Sequence, residues 1–136
     1  MKRGLLIALA LVFAAALLAG CSSGKLPDGF VEADVLKEAE NAVALLSAGD
    51  YASVEELFSA EMKAALSADS LKSALGPQLE KLGAYDSVTS SAVAGGKDDK
   101  LGEYAVAVLV CKYKNGSATY TISIDADAKI CGLYMK

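Results

Sequence analysis

Between residues 30 and 48 apolar side chains return at steps of three and four: Val31, Val35, Leu36, Ala39, Val43 and Leu46. That spacing is the stripe of an amphipathic helix whose other side carries Glu32, Lys37, Glu38 and Asn41. Asp28 is placed to cap its start, and Gly49 to supply the left-handed residue that stops it. Asp50 then opens a short helix over residues 51–58 that turns Tyr51, Val54, Leu57 and Phe58 inward. Ser59 and Ser67 are the next caps, for residues 60–66 and 68–75. Gly76-Pro77 breaks the run, and residues 78–82 add a last turn before Gly83.

After Gly83 the period falls to two. Residues 85–94 form a first strand, 95–100 a polar turn, and 103–114 a long apolar strand. Asn115-Gly116 is a hairpin signal of type I′, since both residues tolerate positive φ. It returns the chain as residues 117–125, where Tyr120, Ile122 and Ile124 alternate with Thr119, Thr121 and Ser123. Residues 125–128 turn again into a last strand, 129–136. Counting back from Asn115-Gly116 sets Cys111 opposite Tyr120, Leu109 opposite Ile122 and Ala107 opposite Ile124. A three-residue loop at 126–128 sets Ile124 opposite Ile130, Ile122 opposite Gly132 and Tyr120 opposite Tyr134. The class is therefore α+β: amino-terminal helices packed on a curved antiparallel four-stranded meander.

The amino terminus has a different pattern. Lys2 and Arg3 precede fifteen apolar residues, 5–19, a run too short to cross a bilayer comfortably. It ends in Leu18-Ala19-Gly20-Cys21, which resembles the lipobox of bacterial lipoproteins. The resemblance implies that residues 1–20 are a signal peptide, that Cys21 is alkylated with diacylglycerol, and that cleavage leaves it as the first mature residue. An uncleaved anchor helix, or an ordinary secretory signal with an incidental cysteine, is the alternative. Residues 21–28 then form a lipidated tether and residues 29–136 a single domain, held at the extracytoplasmic side of the cell membrane.

Composition narrows the chemistry. The 136 residues include 13 basic and 17 acidic side chains, for a net charge of -4, the wrong sign for a phosphate backbone, so nucleic acid is not an expected partner. The chain has no histidine, which removes imidazole-activated nucleophiles and His-ligated zinc. No metal or cofactor is expected. Asp125-Ala126-Asp127 starts like a calcium loop but lacks its glycine and closing glutamate, and reads as turn structure.

The order of helix, Gly49-Asp50-Tyr51, Phe58, Met62-Lys63, and a meander closing on Asp125, Lys129-Ile130 and Gly132-Leu133 resembles domain of unknown function 3887. The resemblance runs from about Val31 to Tyr134 and implies a nuclear transport factor 2-like cone. It departs from the family at Ala128, where a glycine is usual in the last turn. Members occur as free lipoproteins or ahead of hydrolase domains, and the resemblance implies no catalytic residues. In such a cone Leu109, Cys111, Tyr120, Ile122, Ile130 and Tyr134 would line a cavity facing Phe58 and Met62; alternatively these side chains simply fill the core.

The other sheet face carries Val106, Val108, Val110, Cys131, Leu133 and Met135, an apolar row suited to a helix, a second copy of the chain or another protein. Cys111 and Cys131 fall two strands apart and on opposite faces, which favours free thiols over a disulfide. Tyr85, Tyr104, Tyr120 and Tyr134 could donate hydrogen bonds to an anionic intermediate, yet no carboxylate is clearly placed inward as a base. The function expected is non-catalytic binding of a small molecule or envelope protein. A cavity-carboxylate enzyme of isomerase or hydrolase type, or a structural accessory of an envelope complex, is the alternative.

Overall fold

The computed structural model describes residues 25–136; the expected signal peptide and lipidation site, residues 1–21, lie outside the described residues. Four helices, α1 (Glu32–Ser47), α2 (Tyr51–Glu56), α3 (Ala60–Ala65) and α4 (Ala68–Leu82), precede four strands, β1 (Tyr85–Asp98), β2 (Gly102–Tyr113), β3 (Gly116–Asp125) and β4 (Ile130–Met135). The strands make one open antiparallel sheet in the order β1-β2-β3-β4. No described helix is long and apolar enough to cross a membrane.

Helix α1 buries Val35, Ala39, Ala42, Val43 and Leu46, the stripe its periodicity marks. Asp28 does not cap it. The helix starts later, at Glu32, with Val31 in the capping position and no side-chain cap, and Asp28-Gly29 instead forms a turn in which Gly29 has φ 91 and the Phe30 N–H reaches the Pro27 carbonyl. Its end is a Schellman closure: Gly49 takes φ 76, its N–H donates to the Leu46 carbonyl, and the Asp50 N–H donates to Leu45. Asp50, Ser59 and Ser67 then cap α2, α3 and α4 through the N–H groups of Ser53, Met62 and Ser70. The Glu55 carboxylate adds a bond from the Ala68 N–H, tying α2 to the start of α4.

Gly76-Pro77 does not break α4, which runs through Pro77 to Leu82. Proline removes one intrahelical bond, to Ser73, and Ser73 is exposed so water can take its carbonyl. Leu71, Leu75, Leu79 and Leu82 continue one apolar stripe across the proline and hold both halves on the core.

The sheet corrects three expectations. First, residues 95–98 belong to β1 rather than to a turn. Gly95 admits close backbone approach, since a Cβ there would lie 2.1 Å from the Lys25 carbonyl oxygen; at Gly96 it would lie 2.5 Å from the Tyr104 ring. Second, the β2–β3 turn residues are Lys114 and Asn115, with Tyr113 opposite Gly116, Cys111 opposite Ala118, Leu109 opposite Tyr120 and Ala107 opposite Ile122. The register slides by two residues, so the faces keep their order. The turn is not type I′, because neither residue has positive φ; their N–H groups instead donate to Ala84 and Leu82 at the end of α4. Third, β4 keeps Ile124 opposite Ile130, but a bulge at Cys131 sets Ile122 opposite Leu133, Thr121 opposite Tyr134 and Tyr120 opposite Met135. Beyond the bulge every side chain changes face. Leu133 and Met135, assigned outward, turn to the core, whereas Tyr134, assigned to the interior, is 42% exposed.

The bulge has a visible cause. The Ile130 N–H donates to the Leu57 carbonyl and the Ser59 N–H to the Ile130 carbonyl, so the first residue of β4 is clamped to the α2–α3 junction while the rest pairs with β3. Cys131 is the residue left over. In the preceding turn Ala128 takes φ 60, the left-handed conformation for which glycine is the usual choice.

Candidate functional site

Phe58, Leu109, Cys111, Tyr120, Ile122 and Ile130 are all fully or almost fully buried in one hydrophobic cluster between the helices and the sheet. Met62 packs at its margin, half-buried. Val106, Val108 and Val110 are half-buried on the opposite face, where they sit across from Ser123, Thr121 and Thr119. The four tyrosines considered as donors are dispersed. Tyr120 is in the core, Tyr104 lies over Gly96, Tyr134 faces outward, and Tyr85 meets Tyr113 edge to face with centroids 5.5 Å apart.

A chain of hydroxyls crosses the core. Tyr113 Oη is 2.5 Å from Tyr120 Oη and 2.9 Å from Ser47 Oγ. Tyr113 continues the inward face of β2 after Leu109 and Cys111, and Ser47 is the last residue of α1, so sheet and helix meet where their polar ends can pair. Burial and the bond to Tyr113 drive the Tyr120 hydroxyl far above the usual phenol range, so it is a neutral hydrogen-bonding group at any physiological pH.

Ser47 also opens onto a groove of about 460 Å³ between the α1–α2 junction and α4. Leu46 and Leu79 supply its apolar floor, Tyr51 and Ser47 its hydroxyls, and Lys72 and Glu80 one charge of each sign. Burial, then the nearby Glu80 carboxylate, raises Tyr51, which keeps its proton as a donor. Apart from its neighbour Pro77, a Cβ at Gly76 would meet Tyr51 Oη at 3.6 Å and Lys72 Cγ at 3.9 Å, ordinary contact distances. The sequence reading missed this groove, although Gly76 falls between the stripe leucines Leu75 and Leu79, where a small residue leaves a dent.

Other candidate groups serve local structure. The Asp125 carboxylate accepts from the N–H groups of Asp127 and Lys129, closing the last turn, and Asp98 does the same for Lys100 and Leu101. Among the described residues no three His, Cys, Asp or Glu side chains are grouped to hold a metal. Cys111 and Cys131 are free thiols on strands separated by β3. Burial pushes Cys111 up to about 11, with the Glu40 carboxylate adding to it. Burial pushes Cys131 up to about 12, with Asp125 adding to it, so both thiols are poor nucleophiles at neutral pH.

The model of the family described as "Protein of unknown function (DUF3887)" matches residues 39–133. The chain belongs to this family. Its DUF3887 domain therefore takes in most of α1, the groove, the hydroxyl chain and the sheet up to Leu133. A solved structure of similar fold, the NMR structure of a protein from Ruminococcus gnavus ATCC 29149, is 26% identical with a TM-score of 0.72, over 83% of this chain and 97% of that one. No curated protein matches the chain.

Proposed function

We propose that this DUF3887 protein is an extracytoplasmic lipoprotein, anchored through diacylglycerol on Cys21, whose nuclear transport factor 2-like domain binds a small polar-ended molecule without transforming it. The groove carries this reading: it joins an apolar floor to two hydroxyls and two opposite charges, a combination suited to orienting a ligand. Carboxylate catalysis of the isomerase kind has less support. Among the described residues no Asp or Glu is buried, so no acid sits inside the core as a base. Anchoring is supported by the charged start, the fifteen-residue apolar run and Leu18-Ala19-Gly20-Cys21.

Two measurements test the reading. Cys21→Ser should move the protein out of the membrane fraction; retention there removes the lipid anchor. Full-length protein extracted in detergent should carry a small molecule detectable by mass spectrometry, and Gly76→Leu, which fills the groove, should lose it. Equal recovery from both chains would remove the groove from the binding role.

A further inference from the structure

The fold joins tether and groove to opposite ends of one helix. Lys25 and Pro27 cross the core face of β1 at Gly95, and α1 begins shortly after them. Its last residue, Ser47, lines the groove. A helix of 16 residues spans about 24 Å, which sets the separation of the two ends. The sheet runs the same way. Gly83, at the groove, leads into β1, and the strand passes Gly95 on its way to Asp98 and the β1–β2 turn. That turn lies beyond the strap, on the side away from the groove.

We infer that the domain stands on the membrane with the β1–β2 turn, Lys97 to Leu101, against the phospholipid headgroups and the groove directed away from them. The inference rests on the proposed lipid at Cys21. Three residues separate Cys21 from Lys25, and the four Cα-to-Cα steps of that stretch reach at most about 14 Å when extended. Because Lys25 is held at Gly95, the sheet cannot rise farther than that reach from the anchored cysteine. The turn three residues past Gly95 extends about 10 Å, so it spans most of the remaining gap. Its side chains suit a headgroup layer: Leu101 is 38% exposed in the turn, and Lys97 and Lys100 are exposed on either side of one exposed acid, Asp99. Asp98 is turned back onto the turn's own N–H groups.

The chain has no tryptophan, so one introduced residue reports its own surroundings. Full-length, lipidated Leu101→Trp and Lys114→Trp proteins are reconstituted into phosphatidylethanolamine–phosphatidylglycerol vesicles, with and without brominated acyl chains. Leu101→Trp should lose most of its emission to bromine, and Lys114→Trp, at the groove end, should lose none. Adding Gly95→Ala, which displaces the strap, should restore much of the Leu101→Trp emission. Quenching that is equal at both reporters, stronger at Lys114→Trp, or absent at both overturns the orientation if mass spectrometry shows the lipid on Cys21. An unmodified Cys21 overturns the anchoring itself, and the orientation with it.

Discussion

At the strap end of the sheet, Gly95 and Gly96 lie under a backbone carbonyl and an aromatic ring; at the groove end, Tyr113 and Tyr120 meet through their hydroxyls, and Ser47 joins them to the groove that Gly76 lines. The first end depends on atoms that are absent, because close approach is what locks Lys25 and Tyr104 in place. The second depends on oxygens that are present, since a hydroxyl that loses its partner in the core cannot turn to water. One end should break when a single methyl group is added, and the other when a single oxygen is removed.

The largest effect is expected at Gly95. Alanine there meets backbone, which cannot swing aside as a side chain can, so the strap must leave its seat and uncover Leu26. Gly95→Ala should destabilise the domain by about 3 kcal/mol in chemical denaturation, the upper part of the usual overpacking range. Gly96→Ala meets the ring of Tyr104 instead and should lose about 1–2 kcal/mol as that ring shifts. Equal stability of the Gly95→Ala chain and the native one would show that the strap contributes nothing to the fold.

Removal of oxygen should separate the two tyrosines. Tyr113→Phe removes the hydroxyl that bonds both Tyr120 and Ser47 and should destabilise by about 2 kcal/mol. Tyr120→Phe leaves Tyr113 bonded to Ser47 and should lose only about 1 kcal/mol. The double variant should lose less than the sum of the two, since Tyr113→Phe already removes the bond the two hydroxyls share; additive losses would mean that the hydroxyls act independently.

Glycine shows where the sequence was legible. Gly49 was recognisable as a helix stop because the conformation it permits acts locally, and the caps at Asp50, Ser59 and Ser67 act within three residues. Gly95-Gly96 resembles a turn in sequence, because nothing nearby announces that residues 25–27 and Tyr104 will occupy the space. The hairpins divide in the same way. A two-residue error in β2–β3 leaves every face correct, since side chains alternate with period two. The one-residue bulge in β4 exchanges Tyr134 with Met135 and turns Leu133 inward, and its cause is the clamp on Ile130 from Leu57 and Ser59, some seventy residues away in sequence. The groove was hidden for a related reason: α4 continues through Pro77 only because its leucine stripe has a core to rest on.

A methyl group added at the groove end should cost far less. Gly76 is inside α4, its φ is not positive, and the non-neighbouring atoms a Cβ would meet are at ordinary distances. The gain in helix propensity, about 0.5–1 kcal/mol, is opposed by the Pro77 ring, which disfavours helical backbone in a preceding residue that carries a Cβ, so Gly76→Ala should change stability by less than about 1 kcal/mol. Set against Gly95→Ala, the same chemical change should be several-fold milder at the groove end. A larger loss at Gly76 would show that its backbone conformation, and not the space beside it, requires glycine.

The smallest difference concerns how the two turns hold their backbone. The β1–β2 turn is fixed by a titratable acceptor, Asp98, whose bonds from the N–H groups of Lys100 and Leu101 hold its carboxyl below the usual carboxylate range. A depressed value means that the contribution is present above the unfolded value, near pH 4, and is lost as pH falls through the lower folded one. The β2–β3 turn is fixed by the carbonyls of Leu82 and Ala84, which do not titrate in that range. On acidification below about pH 4, the Lys100 and Leu101 amide resonances should shift together, and those of Lys114 and Asn115 should not follow that titration. Asp98→Asn should abolish the pH-dependent shift at the first turn and leave the second unchanged, because Asn keeps an acceptor oxygen but has no proton to gain in this range. If both turns titrate alike, acid is loosening the sheet as a whole and the Asp98 bonds are not what distinguishes its ends.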